Sequence, residues 1–392
     1  MTEQAPKETS DKEFYIPHKA VVKNTAESTK LRVVYDASAK ESRTSPSLND
    51  CLNPGPSLQN LLCSFLVRSR FLPILLTGDL EKAFLQVRIK ETERDALRFH
   101  CKAPGSNDTV IYRFTRALFG LTCSPFVLNG VLSVHLRSWE SKRPQLVEKI
   151  RKNLYVDDLM TGGATATEVK EKKIQGSEIF EDATFKLHKW HSSVKELESP
   201  SNDDEEITFA KQELGDKKQQ TKLLGLPWDK TEDSLSITLE QEEHTTTEIT
   251  ALSQLAKICD PLGFVSPMTL QGKNFFREIL PETIKQRWEE WCASHPSRYE
   301  VPRSLAPNQE PVSTVTLHAF GDARKVGVSA LVHAVVEQEQ GTTQGLGCSK
   351  SRLAKRNLLI HPLELVVGHM AVNLLSKVEK EIDQRIVSSL HC

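Results

Sequence analysis

Asn153-Leu-Tyr-Val-Asp-Asp-Leu159 decides how this chain is read. Short apolar runs flank two adjacent carboxylates, so residues 153–163 read as two short strands meeting at Asp157 and Asp158. Like charges this close repel each other unless a cation neutralises them. A hard divalent ion, Mg²⁺ above all, is the natural partner of carboxylate oxygen. A solvated Asp-Asp turn is the plain alternative. A third carboxylate weighs against it. Leu75-Leu-Thr-Gly-Asp79-Leu-Glu-Lys-Ala-Phe84 places Asp79 at the end of an apolar strand, Pro73 to Asp79. A bend there would carry Asp79 beside Asp157, and two metal ions held between them could clamp the attacking and leaving oxygens of a phosphoryl transfer. Taken alone, Asp79 is also an ordinary turn or helix-cap residue.

Outward from this centre, the signals alternate between strand and helix. Phe84 to Ile89 reads as a strand, and Leu97 to Lys102 with Thr109 to Thr115 as a strand pair about a turn. Ser124 is placed to cap a helix with Pro125 at its first position, running to about Trp139. Thr165-Ala-Thr-Glu168 opens another helix. Leu223 to Leu226 and Ser234 to Leu239 suggest a hairpin, and Ile249, Leu252, Leu255, Ala256 and Cys259 lie at helical spacing. Val315 to Gly321 and Val328 to Val336 read as strands. Pro362 to about Ile382 is an amphipathic helix with Leu363, Val366, Val367, Met370, Leu374 and Val378 on one face. Strands mixed with helices, including hairpins, suggest an α/β or α+β enzyme rather than a bundle, and α+β is the class expected.

Composition narrows the classes further. The 392 residues carry 51 basic and 52 acidic side chains, a net charge of −1, which excludes a uniformly basic nucleic-acid binder but not a basic groove. The longest stretch free of polar side chains, Phe71 to Leu76, falls far short of the ~20 residues of a membrane helix. The polar start, MTEQAPKETSDKEF, has no signal-peptide pattern, so a cytoplasmic or nuclear setting with reduced thiols is expected. The eight cysteines include no Cys-x-x-Cys pair, and Cys292 with His295 is a lone pair without a second half.

Several further stretches, in order, resemble the polyproteins of Pao-type (BEL/Pao) retrotransposons. They are Tyr15-Ile-Pro-His-Lys-Ala-Val-Val-Lys23, Lys30-Leu-Arg-Val-Val-Tyr-Asp-Ala-Ser-Ala-Lys40, Leu118-Phe-Gly-Leu-Thr-Cys-Ser-Pro-Phe126, Leu223-Leu-Gly-Leu-Pro-Trp228, Asp260-Pro-Leu-Gly-Phe-Val-Ser-Pro267 and His318-Ala-Phe-Gly-Asp-Ala323. The aspartate stretches are similar to motifs A and C of reverse transcriptases. The resemblance implies a right-hand polymerase of fingers, palm and thumb, followed by a truncated RNase H-like α/β domain. The expected division is a disordered tail at 1–13, fingers and palm at 14–195, thumb and connection at 196–295, a linker at 296–311 and a partial RNase H-like domain at 312–392.

The same resemblance implies roles for single residues. Asp79, Asp157 and Asp158 would be the catalytic and metal-binding residues, holding two Mg²⁺, with Mn²⁺ as a possible substitute. Lys23 and Arg32 would meet the incoming triphosphate. Phe84 would be the steric gate against a ribose 2′-hydroxyl, Gly120 with Ser124 and Pro125 would touch the template–nucleotide pair, and Tyr155 would be a further substrate-binding residue. Phe119 stands where many retroviral enzymes carry Gln. Leu224 and Gly225 would form a primer grip, and Lys189 aligns loosely with the motif D lysine. Asp322 and Glu364 match part of an RNase H-like site, but only 28 residues follow Glu364, so no RNase H activity is expected. The implied partners are an RNA or DNA template with its primer and deoxynucleoside triphosphates, with no membrane. Two other readings stand beside the polymerase: a catalytically inactive relic that binds nucleic acid or a partner, and an RNA-directed RNA polymerase, against which Phe84 counts.

Overall fold

The strand expected before Asp79 forms over Ile74–Leu80 and lies inside a four-stranded antiparallel sheet. The sheet runs in the order Leu154–Tyr155, Asp158–Gly163, Ile74–Leu80, Leu187–Ser192. In this computed structural model, residues 1–8, 11–23, 30–102, 105, 108–198, 220–239, 247–278, 281–355, 358–383 and 386–391 are described. The polar acidic run Glu198 to Glu206, which the sequence marks as a solvated loop, lies outside them from residue 199 on. Side chains alternate across a strand, and Ile74–Leu80 uses both faces. Ile74, Leu76 and Leu80 enter a core built with helices Ser124–Trp139, Pro144–Asn153 and Ala166–Asp182, through Leu128, Leu132, Ile150 and Phe180. Leu75, between them, joins a second core with Phe65 and Leu66 of helix Leu62–Arg70.

The N-terminal part adds a hairpin, His18–Lys23 with Lys30–Tyr35, and a three-stranded sheet ordered Thr2–Gln4, Thr109–Phe114, Arg98–Lys102. Thr2–Gln4 lies in the segment expected to be a disordered tail. It is anchored because Glu3 receives Arg113 Nε at 2.7 Å, and Lys12 pairs with Glu93 at 2.8 Å.

Past residue 220, Gln220–Leu223, Leu226–Asp229, Ser234–Thr238 and Arg298–Pro302 form an antiparallel sheet. The last of these strands falls in the stretch expected as a linker. Its five residues pair with the whole of Ser234–Thr238, so the prolines around it end a strand rather than mark a loop. Helix Glu248–Lys257 forms as expected, but its buried face is Ala251 and Leu255, while Ile249 and Leu252 are exposed. The C-terminal sheet runs Gly341–Leu353, Gly327–Gln338, Val312–Ala323, Ile386–His391, the last pair parallel. Helix Ile360–Glu381 covers it with Leu363, Val367, Met370, Ala371, Leu375 and Val378. Val366 faces outward, because Gly321 lets the helix approach at Val367: a Cβ on Gly321 would stand 2.2 Å from a Val367 methyl.

Two buried arginines tie these parts together. Arg303 is wholly buried and donates to the carbonyls of Ser69, Leu72 and Pro73 and to the Asp233 carboxylate. Helix Leu62–Arg70 ends there, and the guanidinium satisfies backbone acceptors that a helix end leaves free. Arg70 donates to Pro302 and Leu346, linking the end of helix Leu62–Arg70 to strands Arg298–Pro302 and Gly341–Leu353. The Asp260-Pro-Leu-Gly-Phe-Val stretch is a second tie. Asp260 accepts the N–H groups of Phe264 and Val265, each at 2.8 Å, and Ser349 N–H reaches the Leu262 carbonyl at 2.8 Å.

Candidate active site

Asp79 and Asp158 are direct partners in the antiparallel ladder of Ile74–Leu80 with Asp158–Gly163. Leu80 N–H donates to the Asp157 carbonyl at 2.8 Å, which makes Asp79/Asp158 a non-hydrogen-bonded pair. Such pairs hold their Cα atoms about 4.5 Å apart, with side chains leaving the same face. Asp157 stands in the turn joining Leu154–Tyr155 to Asp158–Gly163. The three aspartates, 78 and 79 residues apart in sequence, therefore meet at one end of one sheet.

Val156, ahead of Asp157 in that turn, has φ 57°. A positive φ at the first central position of a two-residue hairpin is the type II′ pattern, which ordinarily takes glycine. For a β-branched residue it is a strained backbone. Lys82, at the start of the short helix Ala83–Gln86, has φ 50°, and Lys189 has φ 48°. Three non-glycine residues in the left-handed region thus border the aspartates, the distribution found where a site over-determines its backbone.

The electrostatics follow from this crowding. Burial first, and then the charges of Asp157 and Asp79, push the Asp158 carboxyl up to about 7. Burial and Asp79 also raise Asp157. The basic side chains nearby face Asp79: His188 Nε2 lies 3.0 Å from its Oδ2 and Lys189 Nζ 4.0 Å from the same atom. The sequence reading missed His188. It reaches Asp79 because of a register shift between Thr77 and Asp79 opposite Leu187–Ser192, and no sequence pattern marks that shift. As a donor set the three carboxylates suit hard divalent ions, being all oxygen and short of positive charge. With Asp79 on His188, no three His, Cys, Asp or Glu side chains among the described residues stand together at metal-holding distance.

Around this centre, Phe84 is 6% exposed and packs edge-on against Phe119, ring centroids 4.6 Å apart. Phe84 lies in a short helix, Ala83–Gln86, and not in the strand read for 84–89. The chain bends at Lys82 before a strand can form. Phe119 adjoins Gly120, which has φ 88°, and a Cβ there would stand 3.8 Å from the Tyr35 carbonyl oxygen. Ser124 is buried inside its helix rather than capping it: Cys123 is the cap residue, and the Ser124 hydroxyl donates to the Leu118 carbonyl. Tyr155 meets the ring of Phe65. Leu224 and Gly225 are the two central residues of a hairpin, with φ 47° and 97°. Lys23 and Arg32 lie in the paired strands of the N-terminal hairpin, and their side chains lie outside what is described. Asp322 and Glu364 stay exposed, paired with Arg324 at 3.2 Å and His361 at 3.5 Å, and gather no third carboxylate among the described residues.

The family model described as "Reverse transcriptase (RNA-dependent DNA polymerase)" matches residues 22–227, over half of the chain. The chain belongs to the reverse transcriptase family. In this reverse transcriptase, residues 247–391 match the "Pao retrotransposon-like RNaseH-like domain", so the Pao-type resemblance holds for both parts. No curated protein matches it. Among solved structures it is similar to the foamy viral protease-reverse transcriptase dRH in complex with ds DNA, at 14% identity and a TM-score of 0.57. That alignment covers 99% of this chain and 59% of the other. The foamy viral protease-reverse transcriptase in complex with dsDNA is similar at 14% identity and a TM-score of 0.53, covering 99% and 71%. At these identities the likeness concerns the fold, a polymerase fold with an RNase H-like domain. None of the helices among the described residues is long and apolar enough to cross a membrane.

Proposed function

We propose that this chain is an RNA-directed DNA polymerase that extends a primer 3′-hydroxyl by two-metal nucleotidyl transfer. The observation that carries the reading is Asp79 opposite Asp158 in one ladder, with Asp157 in the adjoining turn and Asp158 raised to about 7 by burial and by the charges of Asp157 and Asp79. Asp79, Asp157 and Asp158 would hold two Mg²⁺, with Mn²⁺ able to replace it. Such ions, when bound, lower the pKa of the attacking hydroxyl and neutralise the triphosphate. The chain's own part is positioning and charge. The strained Val156 fixes where Asp157 points, and the ladder fixes Asp79 against Asp158. Phe84, held by Phe119, presents a rigid ring five residues after Asp79 and would exclude a ribose 2′-hydroxyl. Gly120, whose backbone at φ 88° favours the absence of a side chain, would let a base pair approach the backbone. Lys23 and Arg32 would meet the triphosphate, and the Leu224–Gly225 turn would hold the primer. Template and primer would bind mainly through phosphates, with strong salt dependence.

The test is extension of oligo-dT on poly-rA with deoxynucleotides and Mg²⁺. The parent protein extends the primer; Asp157→Asn binds the duplex equally well and extends at least a hundredfold more slowly. A folded parent that grips the duplex without extending it overturns the catalytic reading and leaves the binding module.

A further inference from the structure

Away from the three aspartates, a cavity of about 370 Å³ opens where the palm, the segment after residue 250 and the C-terminal domain meet. Its size lies in the range of about 300–1,000 Å³ of small-molecule sites, which favour such junctions. Val67 of helix Leu62–Arg70, Leu255 of helix Glu248–Lys257 and Val378 of helix Ile360–Glu381 give it an apolar floor. Three lysines from three elements also line it: Lys273, Lys350 and Lys377. The two acids in the lining are already committed. Glu381 receives Arg68, and Asp260 accepts two backbone N–H groups at 2.8 Å. None of the three lysines has an ion-pair partner within 4.0 Å among the described residues, although Lys273 feels the charge of Asp260. The cavity thus joins a greasy floor to a surplus of positive charge. Lysine binds phosphate as a point charge from several directions, which three separate stems can supply.

We propose that this junction cavity binds a small amphiphilic anion, a flat apolar body carrying a dianionic phosphate-ester head. The body lies on Val67, Leu255 and Val378, and the head sits among Lys273, Lys350 and Lys377. The proposal is independent of the polymerase reading, since that reading assigns a role to none of these residues.

Calorimetric titration of the full chain with 1-naphthyl phosphate tests it, with 1-naphthol and inorganic phosphate as separate arms. The expected result is one site, at least tenfold tighter for the ester than for either fragment. The Lys350→Ala/Lys377→Ala variant should lose at least tenfold while its melting temperature stays within 2 °C, by general expectation for exposed lysines. Cys63, in the same lining, should be protected from thiol labelling by the ester. Equal affinity for 1-naphthol would make the cavity merely apolar, and equal affinity for phosphate would make it a surface charge effect. Either result, or a variant that binds as the parent does, overturns the proposal. If the double variant fails to fold, Lys350→Ala alone, at an exposed strand position, should still weaken binding at least threefold, and unchanged binding there overturns the proposal equally.

Discussion

Replacing Asp158 by Asn should stabilise the metal-free protein at alkaline pH and leave it nearly unchanged in acid. In the folded state the Asp158 carboxyl is raised from 3.8 to about 7, by burial and by its two neighbouring carboxylates. Because the folded value lies above the unfolded one, the protonated group favours the fold. That contribution is complete below about pH 4 and is lost as pH rises through about 7. A shift of about three pH units at ~1.36 kcal/mol each sets a ceiling of about 4 kcal/mol. Asp158 is only partly buried, and solvent screening brings the expectation to about 1–2 kcal/mol. The assay is urea unfolding of parent and Asp158→Asn with EDTA present, from pH 4.5 to pH 8.5. Taking the difference between the two proteins cancels every titrating group that does not interact with Asp158; Asp79 and Asp157 stay within the measured difference. The variant should gain about 1–2 kcal/mol on the parent across that range. Adding Mg²⁺ at pH 8.5 should then recover the loss in the parent and do less in the variant. A difference that stays flat with pH would refute the crowding of charge from which the site is argued.

Three further outcomes follow from packing. Arg303→Met should cost about 3–5 kcal/mol in urea unfolding, because it takes a fully buried guanidinium from the Asp233 carboxylate, whose remaining side-chain donor among the described residues is Trp228 Nε1, and leaves the Ser69 and Pro73 carbonyls without that donor. Gly263→Ala should cost about 2 kcal/mol or more in the same assay: the backbone sits at φ +78°, and a Cβ there would lie 2.2 Å from the Ser349 carbonyl oxygen. Phe84→Ala should lose about 3 kcal/mol of stability by leaving a cavity beside Phe119. Assayed below its melting temperature, it should also incorporate ribonucleotides at least tenfold more readily relative to deoxynucleotides, and an unchanged ratio would remove Phe84 from any gating role.

Much of the centre was legible because its signals are local. Ile74–Leu80 reads as a strand from its own apolar run, and the Asp157–Asp158 hairpin from two short runs meeting at a turn. What escaped depends on partners far away in sequence. Gly341–Leu353 is rich in Gly, Ser and Thr and weak in strand formers, yet it becomes a 13-residue strand because Gly327–Gln338 pairs with it along its length. Arg298–Pro302 lies among prolines and is made a strand by Ser234–Thr238. The exposed side of Val366 follows from where Gly321 lets its helix settle. His188 belongs to the same class, reaching Asp79 only through a register shift.

The residues that the sequence did identify are the ones whose repulsion makes the site unfavourable in isolation, and the ones it missed are those that hold them there. Three carboxylates and three left-handed backbones, at Lys82, Val156 and Lys189, each cost free energy. They persist at one sheet end because the strands carrying them are anchored in two separate cores, Ile74, Leu76 and Leu80 in one and Leu75 and Met160 in the other. A sheet buried on both faces cannot relax its edge by sliding, since a one-residue slip would turn Asp79 and every apolar neighbour to the wrong side. On the proposed two-metal reading, a hard cation would supply from outside the chain the charge that Asp157 and Asp158 do not find within it.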